Sequence, residues 1–306
     1  MDFPGRVHIN FMSTTMQPSE FILQPGSLYV VATPIGNLRD IGLRALDVLK
    51  GVDLVAAEDT RVTQGLLAAY GIRKPLTALH EHNETLVTPR LIECLRSGQR
   101  IALVSDAGTP GVSDPGAHLV RAVREAGLPL IPIPGPSAVT TALSIAGLAS
   151  PRWLFHGFLP AKAQARRQTL QQLATLPCHL VFYEAPHRVS ESVADMATVL
   201  GPQRTLTLAR ELTKRFEQVV TLPLDEAVAW LAADPNRLRG EFVLIVSGAE
   251  RGEAPDAAAA RKVLATLLEE LPASQAARLA ARLTGIPRGR LYEWALASKP
   301  APDDRG

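Results

Sequence analysis

Short apolar, β-branched runs alternate with helical periodicity through the first half of the chain. The first run, Leu28–Ala32, leads into a loop rich in glycine and proline, which is typical of a buried strand. Further strands are predicted at 53–57, 76–79, 100–105 and 130–133, with helices over 41–50, 64–70, 88–97, 117–126 and 137–146. Strands that alternate with helices indicate a wound α/β domain with a mainly parallel sheet.

The second half differs, because several of its strands follow one another without a helix. Strands are predicted at 153–158, 179–183, 205–208, 218–221 and 242–246, with helices near 163–176, 188–200 and 224–232. Strands joined in this way favour antiparallel pairing. We therefore expect an N-terminal extension over 1–26 and two α/β domains over 27–147 and 151–249.

A small helical unit is predicted over residues 260–299. Helices over 260–271, 275–283 and 288–297 enclose a glycine-containing turn, so the last two resemble a helix-turn-helix. Five basic residues and one acid, Glu293, lie between Ser274 and Lys299, which suits a nucleic-acid contact by charge attraction. Packing of this hairpin on the main body or on a dimer partner is an equal alternative.

Composition narrows the class of protein. The chain has 306 residues, of which 46% are hydrophobic and 20% charged, so most of it is expected to fold. No run reaches the roughly 18 apolar residues of a membrane helix, and the start does not read as a secretory signal. Two cysteines cannot form a disulfide framework. We expect a cytoplasmic protein without membrane association, and the net charge of +2 indicates no polyanion-binding surface by itself.

Three loops that follow strands concentrate glycine and proline: 33–38, 105–116 and 134–138. Open α/β sheets bind ligands at the carboxyl ends of their strands, where glycine admits close approach and proline stiffens the loop. Ser137 stands at a predicted helix start, which offers backbone N–H groups to an acceptor. Three such loops predict a site for an adenosine-type ligand.

The usual nucleotide and hydrolase motifs are absent. No strand is followed by G-x-G-x-x-G, and neither G-x-x-x-x-G-K-[ST] nor G-x-S-x-G occurs. This argues against an ordinary dinucleotide Rossmann site, a P-loop and an α/β-hydrolase. His80-Glu81-His82 presents two imidazoles, but without cysteine partners we expect a polar loop or site rim there and no metal.

Short strings of a recognisable kind occur along the chain in a fixed order. They are ATPIGNL (32–38), AEDTR (57–61), LHEHNE (79–84), SDAGTP (105–110), PGPSA (134–138), FYEAPHR (182–188), RELTK (210–214) and GEFVLI (240–245). With them the chain resembles the bacterial 16S ribosomal RNA cytidine 2′-O-methyltransferases of the tetrapyrrole methylase superfamily, from about Ser27 to Glu250. The basic tail is similar to the C-terminal unit of that family.

The resemblance implies two α/β domains of the tetrapyrrole methylase type with a ligand cleft between them, in a homodimer. It implies S-adenosylmethionine as the methyl donor and 16S RNA in the 30S subunit as the partner. The implied donor contacts in the first domain are Pro34, Gly36, Asp106, Ala107, Gly108, Thr109, Ser137 and Ala138. In the second domain Tyr183, Leu208 and Ala209 are expected beside the adenine.

Methyl transfer from a sulfonium to a ribose hydroxyl is an in-line displacement that needs a positioned nucleophile. The hydroxyl is weak at neutral pH, so a general base or a stabiliser of the forming alkoxide helps. The candidates are Lys214, which would act neutral if desolvated, and the carboxylates Glu184, Glu58, Asp59 and Glu211. For each carboxylate the alternative is a salt bridge to Arg61, Arg188 or Arg210.

Basic residues are also predicted around an RNA-binding cleft: Arg61, Lys162, Arg166, Arg167, Arg188, Lys214 and Arg215. Aromatic residues are few nearby, so phosphate contacts and a folded ribosomal surface would set the target rather than base stacking. Two other functions stay open, namely carbon methylation of a tetrapyrrole or precorrin and a non-catalytic RNA-binding assembly factor. The strings at 58–61 and 80–84 and the basic tail favour the RNA methyltransferase, because a small macrocycle does not require them.

Overall fold

Five parallel strands form the first sheet of the computed structural model, in the order β3-β2-β4-β1-β5. The strands are β1 (Leu28–Val31), β2 (Leu54–Ala57), β3 (Leu76–Ala78), β4 (Ile101–Val104) and β5 (Leu130–Ile133). The helices are α1 (Leu43–Gly51), α2 (Thr60–Ala69), α3 (Glu84–Arg96), α4 (Ala117–Glu125) and α5 (Ala138–Ile145). Tyr29 and Val31 pack on one face and Leu28 and Leu103 on the other, so the sheet is buried on both sides.

The second sheet is mixed and has the order β6-β7-β10-β8-β9. Its strands are β6 (Trp153–Phe158), β7 (His179–Glu184), β8 (Thr205–Arg210), β9 (Gln218–Pro223) and β10 (Phe242–Val246), and its helices are α6 (Ala163–Leu173), α7 (Val189–Leu200) and α8 (Leu224–Ala232). The expected antiparallel pairing is confirmed for β7–β10, β10–β8 and β8–β9. In contrast, β6 and β7 are parallel, since α6 crosses between them.

The two sheets are joined by an apolar cluster, which we call the interdomain cluster: Ile35, Val139, Ala142, Val181, Ala209, Leu212, Val243 and Ile245. Its strand residues come from one face of the second sheet, because alternate residues point to opposite sides. The other face, with Phe182 and Leu208, is covered by α6, α7 and α8. The carboxyl edge of the first sheet therefore lies against the second sheet.

The C-terminal helices pack on one another around a small core of their own. They are α9 (Pro255–Glu270), α10 (Ala273–Thr284) and α11 (Arg288–Ala297), with Leu264, Ala277 and Leu291 at the centre. Gly285 has a φ of 73° and ends α10, which is the usual way for a chain to leave a helix. None of the helices in the described part of the chain is long and apolar enough to cross a membrane.

The structure describes residues 22–249 and 255–297, with side chains from 259 onward in the second range. Most of the predicted extension at 1–26 and Lys299 thus lie outside the described residues. In the first domain, two helices start before their predicted first residue. The Asp59 side chain accepts the Arg61 N–H at 2.8 Å and caps α2, and α3 begins at Glu84 with Pro89 inside it.

Candidate functional site

Hydrogen bonds tie the three predicted loops together at the carboxyl edge of the first sheet. The Thr33 N–H donates to the Gly108 carbonyl at 2.8 Å, and the Gly108 N–H donates back at 3.1 Å. The Thr33 hydroxyl also donates to the Ser105 carbonyl at 3.1 Å. The Thr109 hydroxyl donates to the Pro136 carbonyl at 3.0 Å, which links the loops after β4 and β5. The three loops therefore form one continuous surface.

A cavity of about 270 Å³ lies between this surface and the second sheet. Its volume is near the lower end of small-molecule sites, which start at about 300 Å³. Seven of the predicted donor contacts line it: Ala107, Gly108, Thr109, Ser137, Ala138, Tyr183 and Ala209. Both domains contribute residues to the wall of this cavity.

Four predicted donor contacts do not line this cavity: Pro34, Gly36, Asp106 and Leu208. The Leu208 side chain is fully buried on the opposite face of the sheet, so it does not reach a ligand in the cavity. Asp106 turns towards the loop after β2 and accepts the Asp59 N–H at 2.9 Å. Gly36 lies against the second domain, because a Cβ added at Gly36 would come within 2.5 Å of the Lys214 side chain. Pro34 is buried beside it.

Tyr183 brings a polar atom to the start of α5. Its hydroxyl meets the Val139 N–H and the Ser137 side chain, and burial raises the pKa of the phenol. The rings of Phe155 and Phe158 stand edge-on to Tyr183, with centroids 5.0 and 5.6 Å away. This end of the cavity therefore combines an aromatic wall with a neutral hydroxyl and a helix N-terminus.

Lys214 is an ion-paired cation in the structure. Its Nζ lies 2.9 Å from Oε1 of Glu211 and 2.9 Å from Oε2 of Glu241. Burial alone would lower the pKa of Lys214, but its hydrogen bonds to the two carboxylates raise that pKa above the ordinary lysine value. A neutral Lys214 acting as a general base at neutral pH is therefore contradicted by this geometry.

The carboxylate candidates have structural partners as well. Glu184 accepts the Ala185 N–H at 2.8 Å and the Ser192 hydroxyl, and its Oε1 lies 3.4 Å from Nε of Arg188. Glu184 therefore forms the salt bridge that was the alternative to a role as general base. Glu58 lies off the cavity wall, accepts the Asp106 N–H at 3.4 Å, and has its pKa raised by burial.

The predicted RNA-contacting cations divide into buried and exposed groups. The Arg166 side chain is 2% exposed and binds Asp195 at 2.6 Å, so it has no access to a nucleic acid. Arg188 is also largely enclosed and donates to the Leu159 carbonyl. The exposed members are Arg61, Lys162, Arg167 and Arg215. Of these, Arg61 is paired with Asp59, Arg167 with Asp195, and Arg215 lies over the Phe216 ring.

Asp114 lines the cavity and has a raised pKa, and it was not among the residues predicted from the sequence. Burial, followed by the charges of Glu58 and Asp106, raises the pKa of Asp114 to about 6, although the Ser105 hydroxyl donates to it. The only available signal was its place in the glycine- and proline-rich loop at 105–116. Glu84 has a different role, because its Oε1 accepts the Leu119 N–H at 2.9 Å and caps α4.

The His80 and His82 rings lie with their centroids 6.1 Å apart. Among the described residues, no group of three or more histidine, cysteine, aspartate or glutamate side chains is arranged to hold a metal ion.

Sequence comparison identifies the family. Residues 27–228 match the tetrapyrrole (corrin/porphyrin) methylases, and residues 254–299 match the RsmI C-terminal HTH domain. The ribosomal RNA small subunit methyltransferase I of Xylella fastidiosa is 52% identical over 88% of this chain and 98% of its own length. The Escherichia coli O157:H7 protein of the same name is 52% identical over 89% of this chain and 95% of its own. The chain belongs to the tetrapyrrole methylase family and is a methyltransferase.

Solved structures agree with the fold. Uroporphyrin-III-C-methyltransferase from Thermus thermophilus superposes with a TM-score of 0.53 at 22% identity, covering 72% of this chain and 94% of that one. Cobalt precorrin-4 methyltransferase gives 0.55 at 16% identity, with 72% and 95% covered. The family and the α/β fold class predicted from the sequence are confirmed.

Proposed function

We propose that this protein transfers a methyl group from S-adenosylmethionine to the ribose 2′-hydroxyl of a cytidine in the 16S RNA of the small ribosomal subunit. One observation carries the choice of substrate. Relatives named as ribosomal RNA small subunit methyltransferases align with 88–90% of the chain at about half identity. The tetrapyrrole methyltransferases cover only 72% of it.

The chemistry of the cavity wall suits this donor. Its charged residues are all acids, Asp114, Glu184 and Glu241, and none of the described residues that line it is a lysine or arginine. S-adenosylmethionine carries a cationic sulfonium and an ammonium group, which acidic surroundings stabilise. The donor supplies an electrophilic methyl group on sulfur. The N–H groups at Ser137 and Ala138 would hold its carboxylate, since a helix N-terminus favours an anion.

The RNA would meet exposed cations of the second domain and of the C-terminal helices. Lys162, Arg167 and Arg215 lie on the surface of the second domain. On α10 and α11 the exposed arginines are Arg278, Arg282, Arg288 and Arg290. Phosphate contacts by such residues give affinity that falls with salt. The same proposal includes the 30S particle as the substrate, a homodimeric protein and a cytoplasmic location. It also includes the domain bounds 27–147, 151–249 and 260–299.

The test is to incubate the protein with isotopically labelled S-adenosylmethionine and 30S subunits that lack the modification. The 16S RNA is then digested and the labelled nucleoside identified by mass spectrometry. We expect label on the ribose of a cytidine, and much less on a short oligonucleotide of the same sequence. Label on a tetrapyrrole supplied in parallel, or donor binding without any labelled RNA, would overturn the proposal.

A further inference from the structure

Asp114 occupies a defined position on the cavity wall, at the end of the loop between β4 and α4. The preceding residue, Ser113, has a φ of 65°, a conformation that non-glycine residues rarely adopt. Gly157, at a register shift in β6, leaves room for it, because a Cβ there would come within 2.9 Å of the Ser113 hydroxyl. Backbone strain of this kind persists where the surrounding structure enforces it, and it clusters at functional sites.

The other carboxylates near the cavity are engaged. Glu184 is held by the Ala185 N–H, the Ser192 hydroxyl and Arg188. Glu241 is paired with Lys214 and is 74% exposed. Asp114 takes part in none of the ion pairs formed among the described residues. It is therefore the wall carboxylate whose basicity is not neutralised by a cation.

From this geometry we propose that Asp114 is a catalytic residue, whose carboxylate accepts the proton of the acceptor hydroxyl as the methyl group is transferred. The inference rests on the proposed function. A bond forms between the acceptor oxygen and the methyl carbon while the hydroxyl proton passes to Oδ of Asp114. The electron pair of the broken carbon–sulfur bond stays on sulfur, which becomes a neutral thioether. Asp114 then releases its proton to solvent.

The electrostatic surroundings favour this role. Glu58 and Asp106 face Asp114 from the loops after β2 and β4, and Tyr183 faces it from β7. These neighbours are acids or a neutral phenol, and together with burial they place the pKa of Asp114 at about 6. Such a carboxylate is ionised at pH 7.5 and is a stronger base than an ordinary aspartate.

The experiment compares wild type with Asp114→Asn and with Asp47→Asn, an exposed aspartate on α1. We expect single-turnover methylation of 30S subunits at pH 7.5 to fall at least about 100-fold in D114N, as on loss of a general base, and to be unchanged in D47N. The dissociation constant for S-adenosylmethionine, measured by calorimetry, should change less than about threefold. The wild-type rate should fall as the pH drops through about 6, whereas the D114N rate stays flat.

Carbon-13 NMR of aspartate carboxyl groups adds a readout that does not depend on turnover. One resonance with a midpoint near pH 6 should be present in wild type and missing in D114N. The inference is overturned if D114N has the wild-type rate or binds the donor more than tenfold more weakly. In either case, labelling of the 30S RNA by the wild-type protein still supports the proposed function. Wild-type protein that binds donor and leaves the 30S RNA unlabelled overturns both.

Discussion

Two neighbouring arginines on α6 share one carboxylate, but only one of them is buried. Nε of Arg166 and Nε of Arg167 each lie 2.6 Å from an oxygen of Asp195, and their side chains are 2% and 57% exposed. Removing one partner of a buried ion pair costs about 3–5 kcal/mol, because the remaining charge loses its compensation. Since Arg167 still pairs with Asp195, we expect Arg166→Ala to lose about 3 kcal/mol, at the low end. Arg167 is itself exposed and its removal leaves Asp195 paired with Arg166, so Arg167→Ala should lose no more than about 1 kcal/mol.

Thermal unfolding followed by circular dichroism tests the difference. The midpoint falls by roughly 2–4 °C per kcal/mol in proteins of about this size, which predicts a drop of about 6–12 °C for R166A and under about 4 °C for R167A. Binding to 30S subunits should be affected in the reverse order. R167A should bind more weakly than wild type, whereas R166A should bind as wild type does at temperatures below its unfolding midpoint. Equal midpoints for the two variants would refute the assignment of Arg166 as a buried structural cation.

Three further substitutions follow from the structure. Gly36→Ala puts a methyl group 2.5 Å from the Lys214 side chain and 3.1 Å from the carbonyl of Leu212, a residue of the cavity wall. We therefore expect weaker donor binding by calorimetry, and an unchanged affinity would contradict this coupling. Gly65→Ala, in α2 with no atom within 4 Å, should raise the free energy of unfolding by about 0.5–1 kcal/mol in urea titrations, and any loss would show a hidden contact. The third substitution is at Asp114, whose pKa is about 6 in the folded protein against an ordinary 3.8. Between these two pH values the native state binds more protons than the unfolded chain. The free energy of unfolding therefore falls as the pH rises from 3.8 to about 6. Asp114→Asn should remove this loss of unfolding free energy, which is on the order of 1–2 kcal/mol after allowance for solvent screening. Urea titrations at pH 4 and pH 8 measure it. Parallel pH profiles of the wild type and the variant would contradict the prediction.

The elements and the glycine- and proline-rich loops were predictable because their signals are local. Short apolar runs mark the strands, which are three to six residues long. The loops after β1, β4 and β5 meet because parallel strands end at the same edge of the sheet. This is why Gly108, Ser137 and Ala138 lie together on the cavity wall.

The remaining features depend on burial, which single residues do not reveal. The second sheet is covered on both faces, so both Leu208 and Ala209 are buried and nothing in their hydrophobicity tells which one faces the cavity. Arg166 looks like its neighbour Arg167 in the sequence. However, it stands one helical turn before the buried Leu170, and that spacing was the available sign of its inward position.

The interdomain cluster has a consequence for how small molecules enter the protein. Rotating the two sheets apart would bring Val181, Val243 and Ile245 into contact with water together with Ile35 and Val139. Complete exposure costs about 1.5–3 kcal/mol for each such side chain, so a wide hinge motion is unfavourable by several kcal/mol. Exchange of donor and product is then expected to proceed by local movements at the cavity, with the two sheets remaining a single unit throughout turnover.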